Sequence, residues 1–293
     1  MIHPRLSRSI CINYHILKRL VQNDAFLNRK VTKTTILELS DAKKFYEKHL
    51  KQDLPIEHFP MLYKLIERET NAAFKRLSKK LIILNRYEIE YPSALWQDLK
   101  DEAPMFLYLS GSVYILDRKV NRLAFFTTPN SQDEYLQKSL NLVQSLKGKA
   151  YTVILQFNTL LEHLMLMQFQ KDQMASLVMF RGPITKDIES AIKKFDLMFK
   201  RGKKGLNILS VTSPFNEVTD EKTLIKIMHS LSKISILFSH DHRDAQSFSV
   251  SNNLSWKKPS MMPLIDGNKM RSSELFYTIK EDQDFIKHIE RCL

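Results

Sequence analysis

Tyr91-Pro92-Ser93-Ala94-Leu95-Trp96-Gln97-Asp98-Leu99, followed by Ala103-Pro104-Met105-Phe106-Leu107-Tyr108-Leu109-Ser110-Gly111, is the stretch that decides the fold of this chain. Pro92 holds Tyr91 in an extended backbone and suits the first turn of a short helix. The apolar run Met105 to Leu109 is a strand, and Gly111 permits a tight exit from it. A strand-like run, Leu81 to Leu84, precedes the motif, and strand and helix patterns alternate from Arg122 to Leu264.

Working outward, further β-prone runs fall at Leu123 to Thr127, Tyr151 to Leu155, Leu177 to Phe180, Asn207 to Val211, Ile234 to Phe238 and Ser260 to Met262. Helical patterns lie between most of them: Gln132 to Leu146, Thr159 to Phe169, Ile184 to Phe199 and Glu221 to Leu231. Glu281 to Leu293 reads as a terminal helix. Continuous apolar strands alternating with helices indicate an α/β fold with a mostly parallel, doubly wound sheet covered on both faces. Residues 1–80 read as all-helical, with helices at Ile10 to Val21, at Thr34 to Leu50 behind capping threonines, and from Pro60 to Leu77. The spacing thus divides the chain into a helical part, 1–80, and a sheet-bearing part, 81–293.

The chain has 293 residues and a net charge of +13, with 43% hydrophobic and 26% charged residues. No apolar run reaches the ~18 residues that span a bilayer. The N-terminus lacks the apolar core of a signal peptide. Two cysteines, Cys11 and Cys292, are too few for a disulfide framework or a four-ligand zinc site, which makes a reducing cytoplasm the expected compartment. Residues 1–80 hold 17 Lys and Arg against 8 Asp and Glu, or +9 of the +13. A basic surface favours polyanions, chiefly nucleic acid or an anionic membrane. The other account of the charge is a lysine-rich chain with solvated helix faces.

Tyr91-Pro92, a short helix, Pro104, Leu107-Tyr108 and Gly111, in that order, resemble the entry to the Rossmann-like domain of the DprA/Smf family of DNA processing proteins. The resemblance covers residues 81–265 in order and spacing. The helices of 1–80 resemble, in topology, the sterile-alpha-motif-like or helix-hairpin domain of the family. The resemblance implies a non-enzymatic protein without cofactor that binds single-stranded DNA, protects incoming DNA in natural transformation, loads a RecA-type recombinase and forms a homodimer. The winged-helix domain that some members carry is expected to be absent, since too little chain follows Leu264.

The family's glycine turns are mostly replaced. Its Gly-Ser-Arg turn aligns with Thr127-Thr128-Pro129, which puts Pro129 at the arginine. Its Ser-Gly-x-Ala-x-Gly-Ile-Asp stretch aligns with Leu155 to Glu162, with Thr159 at a position often basic. Lys226 aligns with one residue of an arginine pair and Leu224 with the other. The Ser-Gly-Ser turn aligns with Asp244 to Val250. DNA contact then falls to Arg181, which closes the Leu177 to Phe180 strand, and to Lys226, both expected to be exposed. Lys200, Arg201, Lys203 and Lys204 form a second basic group that can neutralise phosphates or simply solubilise a helix end. Phe157, Phe180 and Phe248 are candidate base platforms, or core residues.

Other constellations are thinner. His240-Asp241-His242 offers two alternate histidines without a third metal ligand. Glu162-His163 is a poor acid/base pair, because neighbours on a helix do not face each other. There is no Walker loop and no complete Gly-x-Gly-x-x-Gly. Two further readings stand beside DNA binding: a degenerate interaction scaffold that binds DNA weakly, and a nucleotide-hydrolysing enzyme of the lysine-decarboxylase-like fold, which needs intact glycine turns and a paired arginine and glutamate.

Overall fold

Apolar residues at helical spacing bring three N-terminal helices onto one core: α1 (Pro4–Val21), α2 (Asp24–Lys30) and, after a short α3 (Ala42–Phe45), α4 (Phe59–Arg76). The computed structural model describes residues 4–127, 133–188, 190–191, 206–215, 218–238, 260–263, 277–279 and 282–293. The single helix expected over 34–50 is broken. A 3-10 turn (Ile36–Ser40) and a wider π-type turn (Tyr46–Leu50) flank α3. Asp41 causes the break. Its backbone is extended, and its carboxylate accepts from the N–H groups of Lys43 and Lys44, which starts a new helix. The threonines cap nothing there. Thr35 instead donates to the Lys30 carbonyl at 2.8 Å and closes the end of α2.

Among the described residues the sheet has nine strands: β1 (Ile82–Asn85), β2 (Phe106–Ser110), β3 (Asn121–Thr127), β4 (Tyr151–Leu155), β5 (Ala175–Phe180), β6 (Leu206–Ser210), β7 (Ile234–Phe238), β8 (Ser260–Pro263) and β9 (Tyr277–Ile279). Their order is β1-β2-β6-β5-β4-β3-β7-β8-β9. The seven strands from β6 to β9 in that order run parallel, while β2 runs antiparallel to both β1 and β6. The helices described in this part are α5 (Ser93–Leu99), α6 (Asp133–Gln144), α7 (Leu160–Lys171), α8 (Glu221–Leu231) and α9 (Asp282–Cys292).

Alternation along the strands sorts the core into two layers. Phe106, Tyr108, Leu123 and Phe125 face α1, α4, α6 and α7, whereas Leu107, Leu109, Ala124 and Phe126 face α5 and α8. Both faces are covered, which is why the strands read as continuous apolar runs. At the first layer Cys11, His15 and Tyr108 meet. The Tyr108 hydroxyl lies 3.3 Å from Cys11 Sγ and 2.9 Å from His15 Nε2. Burial pushes the Cys11 thiol up to about 12 and His15 down to about 3, so both stay uncharged at neutral pH.

Gly111 ends β2 with a φ of +137°, a region closed to most side chains. The Asn207 side chain fills the space where a Cβ would stand, accepting from Ser112 N at 2.8 Å and donating to the Ser176 carbonyl at 3.3 Å. Gly111 therefore lets β2 turn away while Asn207 locks it to β6. Gly111→Ala should destabilise the protein by about 2 kcal/mol or more, because the strained φ and the clash with Asn207 act together. Urea denaturation checks this, and an unchanged midpoint would show that the turn tolerates a side chain.

Candidate nucleic-acid interface

Ligands of doubly wound sheets lie beyond the carboxyl ends of the strands, at the point where strand order reverses. Here β3 and β7 flank that point. The loops that follow them, with Pro129, His240 to His242, Asp244 to Val250 and Phe248, lie outside the described residues, as do Lys200, Arg201, Lys203 and Lys204. Described at this edge are Thr127, the β4–α7 turn, the end of β5 and the end of β6.

The β4–α7 turn is closed by its own side chains. Thr159 caps α7, its hydroxyl accepting from Glu162 N at 3.2 Å, and Glu162 reaches back to accept from Asn158 N at 2.8 Å and Thr159 N at 3.0 Å. This is a capping box, in which two orphan groups satisfy each other. Thr127 joins it, its hydroxyl 2.8 Å from that of Thr159. Asn158 also donates its side-chain amide to Gln156. A helix N-terminus after a strand is the ordinary place for phosphate. In this chain a buried carboxylate already holds the amides a phosphate would use. Burial raises the pKa of Glu162, and the hydrogen bonds from Asn158 and Thr159 oppose that rise. The pattern Thr159-x-x-Glu162 is legible in the sequence as a capping box, but alignment to the family's glycine turn obscures it.

Glu162 and His163 turn to different partners. His163 Nδ1 donates to the Thr159 carbonyl at 2.7 Å, and the His163 ring lies against Phe157, with centroids 3.6 Å apart. Phe157 is 42% exposed at the end of β4. Phe180 is partly buried and packs on the core. Among the described residues no cluster of three or more His, Cys, Asp or Glu is placed to hold a metal.

Arg181 and Lys226 are half-buried rather than exposed. The Arg181 carbonyl accepts from Thr212 Oγ1 at 2.6 Å and Thr219 N at 3.0 Å, while its Nε donates to the Thr219 carbonyl at 3.4 Å. These bonds draw the loop after β6 over the arginine stem. Arg181 has no acidic partner among the described residues. Lys226 does: its Nζ lies 2.8 Å from Glu102, just beyond α5. Leu224, the second arginine position, is fully buried against the sheet. The neighbouring cleft, about 460 Å³, lies between α1, the start of β2 and the loop after β6. Its walls mix Lys18 and Arg86 with Asp24, Asp101 and Asp220, so it carries no clear preference for an anion.

Two solved structures share this fold, one over nearly all of the chain and one over about three quarters of it. DNA processing protein A (DprA) from Streptococcus pneumoniae superposes with a TM-score of 0.56 at 10% identity, covering 97% of this chain and 95% of that one. The chain has the DprA fold. DprA from Helicobacter pylori, for which a single-stranded-DNA-binding mode is described, superposes with a TM-score of 0.52 at 15% identity over 72% of this chain and 96% of its own. No protein-family profile matches the sequence, and no curated protein matches it. The DprA-like sheet is thus kept at very low identity, with the β4–α7 turn filled from within.

Thr159→Ala should cost about 1 kcal/mol through loss of the cap, read by thermal denaturation. Glu162 also makes stability pH-dependent. Its folded pKa is raised from the ordinary 4.5, so its contribution is present below pH 4.5 and is lost as pH rises through the folded value. Glu162→Gln keeps the cap and removes the titration. The parent should therefore lose stability relative to this variant between pH 4 and 7, and parallel stability curves would contradict the buried charge.

Proposed function

We propose that this chain is a DprA-like, non-enzymatic protein that binds single-stranded DNA. The observation that carries the reading is a DprA fold extending over 97% of the chain, helical part included, on a protein with a net charge of +13. Phe157 and Arg181 supply the chemistry at the sheet edge. Leu155 pairs with Val178, so the ends of β4 and β5 that carry these two residues are neighbours. An exposed ring offers a base-stacking surface, and a cation without an acidic partner offers a phosphate contact. Lys226, and Lys200, Arg201, Lys203 and Lys204, remain secondary candidates within this proposal, Lys226 after release from Glu102. Loading of a RecA-type recombinase, homodimer formation, action in the cytoplasm and a functional division near residue 80 belong to the same reading. No described helix is long and apolar enough to cross a membrane.

One observation favours a second reading, a scaffold with weak DNA binding: the Glu162 cap occupies the phosphate position of the turn. The same cap weighs against a nucleotide hydrolase, because Glu162 is committed to Asn158 and Thr159. Fluorescence anisotropy with oligothymidylate and with duplex DNA, at 50 and 200 mM salt, separates the readings. Tighter, salt-dependent binding to the single strand is expected, with Phe157→Ala and Arg181→Ala each weakening it several-fold. No binding at 50 mM salt would leave the scaffold.

A further inference from the structure

The charge of residues 1–80 is not evenly neutralised. Six of their acidic side chains, Asp24, Glu38, Asp41, Glu47, Asp53 and Glu69, pair with cations on α1 to the π-type turn. Between residues 64 and 80 six cations stand against two acids, Glu67, which accepts from Tyr63, and Glu69, which pairs with Arg19. Lys64, Arg68, Lys75, Arg76, Lys79 and Lys80 are all exposed, and none has an acidic partner among the described residues. At about 100° per residue, Lys64, Arg68 and Lys75 fall within about 40° of arc on α4 and span about 16 Å of its length. Tyr63, Thr70 and Phe74 lie about 120° round the helix from them and are buried. The outward face of α4 is therefore a straight row of cations.

That row runs into the sheet edge. Leu77, at the end of α4, forms a β-bridge with Thr185, and Ser78 N donates to the Ile184 carbonyl at 3.3 Å. Thr185 lies four residues beyond Arg181, on the segment that leaves β5. Arg8 of α1 fixes the junction, donating to the Phe74 carbonyl at 2.7 Å and the Ser78 carbonyl at 3.4 Å. Lys79 and Lys80 follow directly on this junction in the chain and are exposed.

We propose that the outward face of α4, with Lys79 and Lys80, is a phosphate-tracking surface that carries the DNA backbone away from the Arg181 edge. It rests on the proposed DNA binding and supplies the phosphate contacts that the β4–α7 turn has given up. The occupant is a nucleic-acid backbone rather than an anionic bilayer. A helix lying in a bilayer needs a free apolar face, and the apolar face of α4 is inside the protein. Only Met61 and Leu65 stand exposed beside the cations. With no ring in the row, the contact is to phosphate and not to bases.

Two quadruple variants of the full chain test this. One carries Lys64→Gln, Arg68→Gln, Lys75→Gln and Lys79→Gln. The other carries Lys30→Gln, Lys44→Gln, Lys48→Gln and Lys51→Gln, which lowers net charge equally but removes cations that are already paired. Circular dichroism checks that both fold, and every substituted side chain is at the surface. The first variant should bind oligothymidylate at least tenfold more weakly at 100 mM salt, with a salt slope shallower by about 3. The second should bind like the parent. Equal loss in both variants, or none in the first, would overturn the α4 surface. Loss of binding to phosphatidylserine vesicles in the first variant with DNA binding intact would also overturn it, assigning the face to membrane. A parent that fails to bind DNA at all removes the proposed function itself, a different result from a parent that binds and a variant that binds equally.

Discussion

The structure depends on β2, the strand that runs against its neighbours, and on a buried polar cluster beneath it. Tyr108 puts its hydroxyl between Cys11 and His15 of α1, in a core where an unsatisfied hydroxyl costs about 1–3 kcal/mol. The next residues, Leu107 and Leu109, face the other side of the sheet and pack with α5 and α8. A single five-residue strand therefore holds the helical layer on one face and the Tyr91-Pro92 corner on the other. Gly111 and Asn207 set where that strand ends, and so fix its register on β6.

This anchorage has a consequence for the surface. Because α1 docks on β1 and β2, α4 is carried to the end of β5 and meets the segment after Arg181. The helical part is then no appendage to the sheet edge but an extension of it. At the edge itself, the start of α7 is closed by its own side chains. Glu162 and Thr159 secure the start of α7 without glycine and without ligand. Positive charge without an acidic partner among the described residues gathers instead on the outward face of α4, where Glu67 accepts from Tyr63 and Glu69 pairs with Arg19 of α1.

Much of the fold was legible because both faces of the sheet are covered. Apolar runs located eight of the nine strands to within two residues, and α8 runs over the residues that the pattern indicates. The ninth strand, Tyr277–Ile279, is three residues long and carries too little pattern to stand out. α2 was missed for a similar reason: it is short and polar, and it starts on the Asn23 side chain, which accepts from Phe26 N. Strand order was not legible at all, since the insertion of an antiparallel β2 beside β6 is decided by tertiary pairing. Of the candidate site, Arg181 was readable as a strand-end residue, but its half-burial was not, because the loop that covers it comes from thirty residues further along. The cap at Glu162 and the row on α4 both follow from simple spacings, three residues for the cap and three to four for a helix face.

The central claim is that DNA, if it follows this sheet edge, does so without using the β4–α7 turn. An experimental structure of the chain bound to oligothymidylate tests it most directly. The account predicts phosphates at Arg181 and along the outward face of α4, with Glu162 still hydrogen-bonded to Asn158 N and Thr159 N. A phosphate seated on those amides, with the Glu162 side chain displaced, would contradict it.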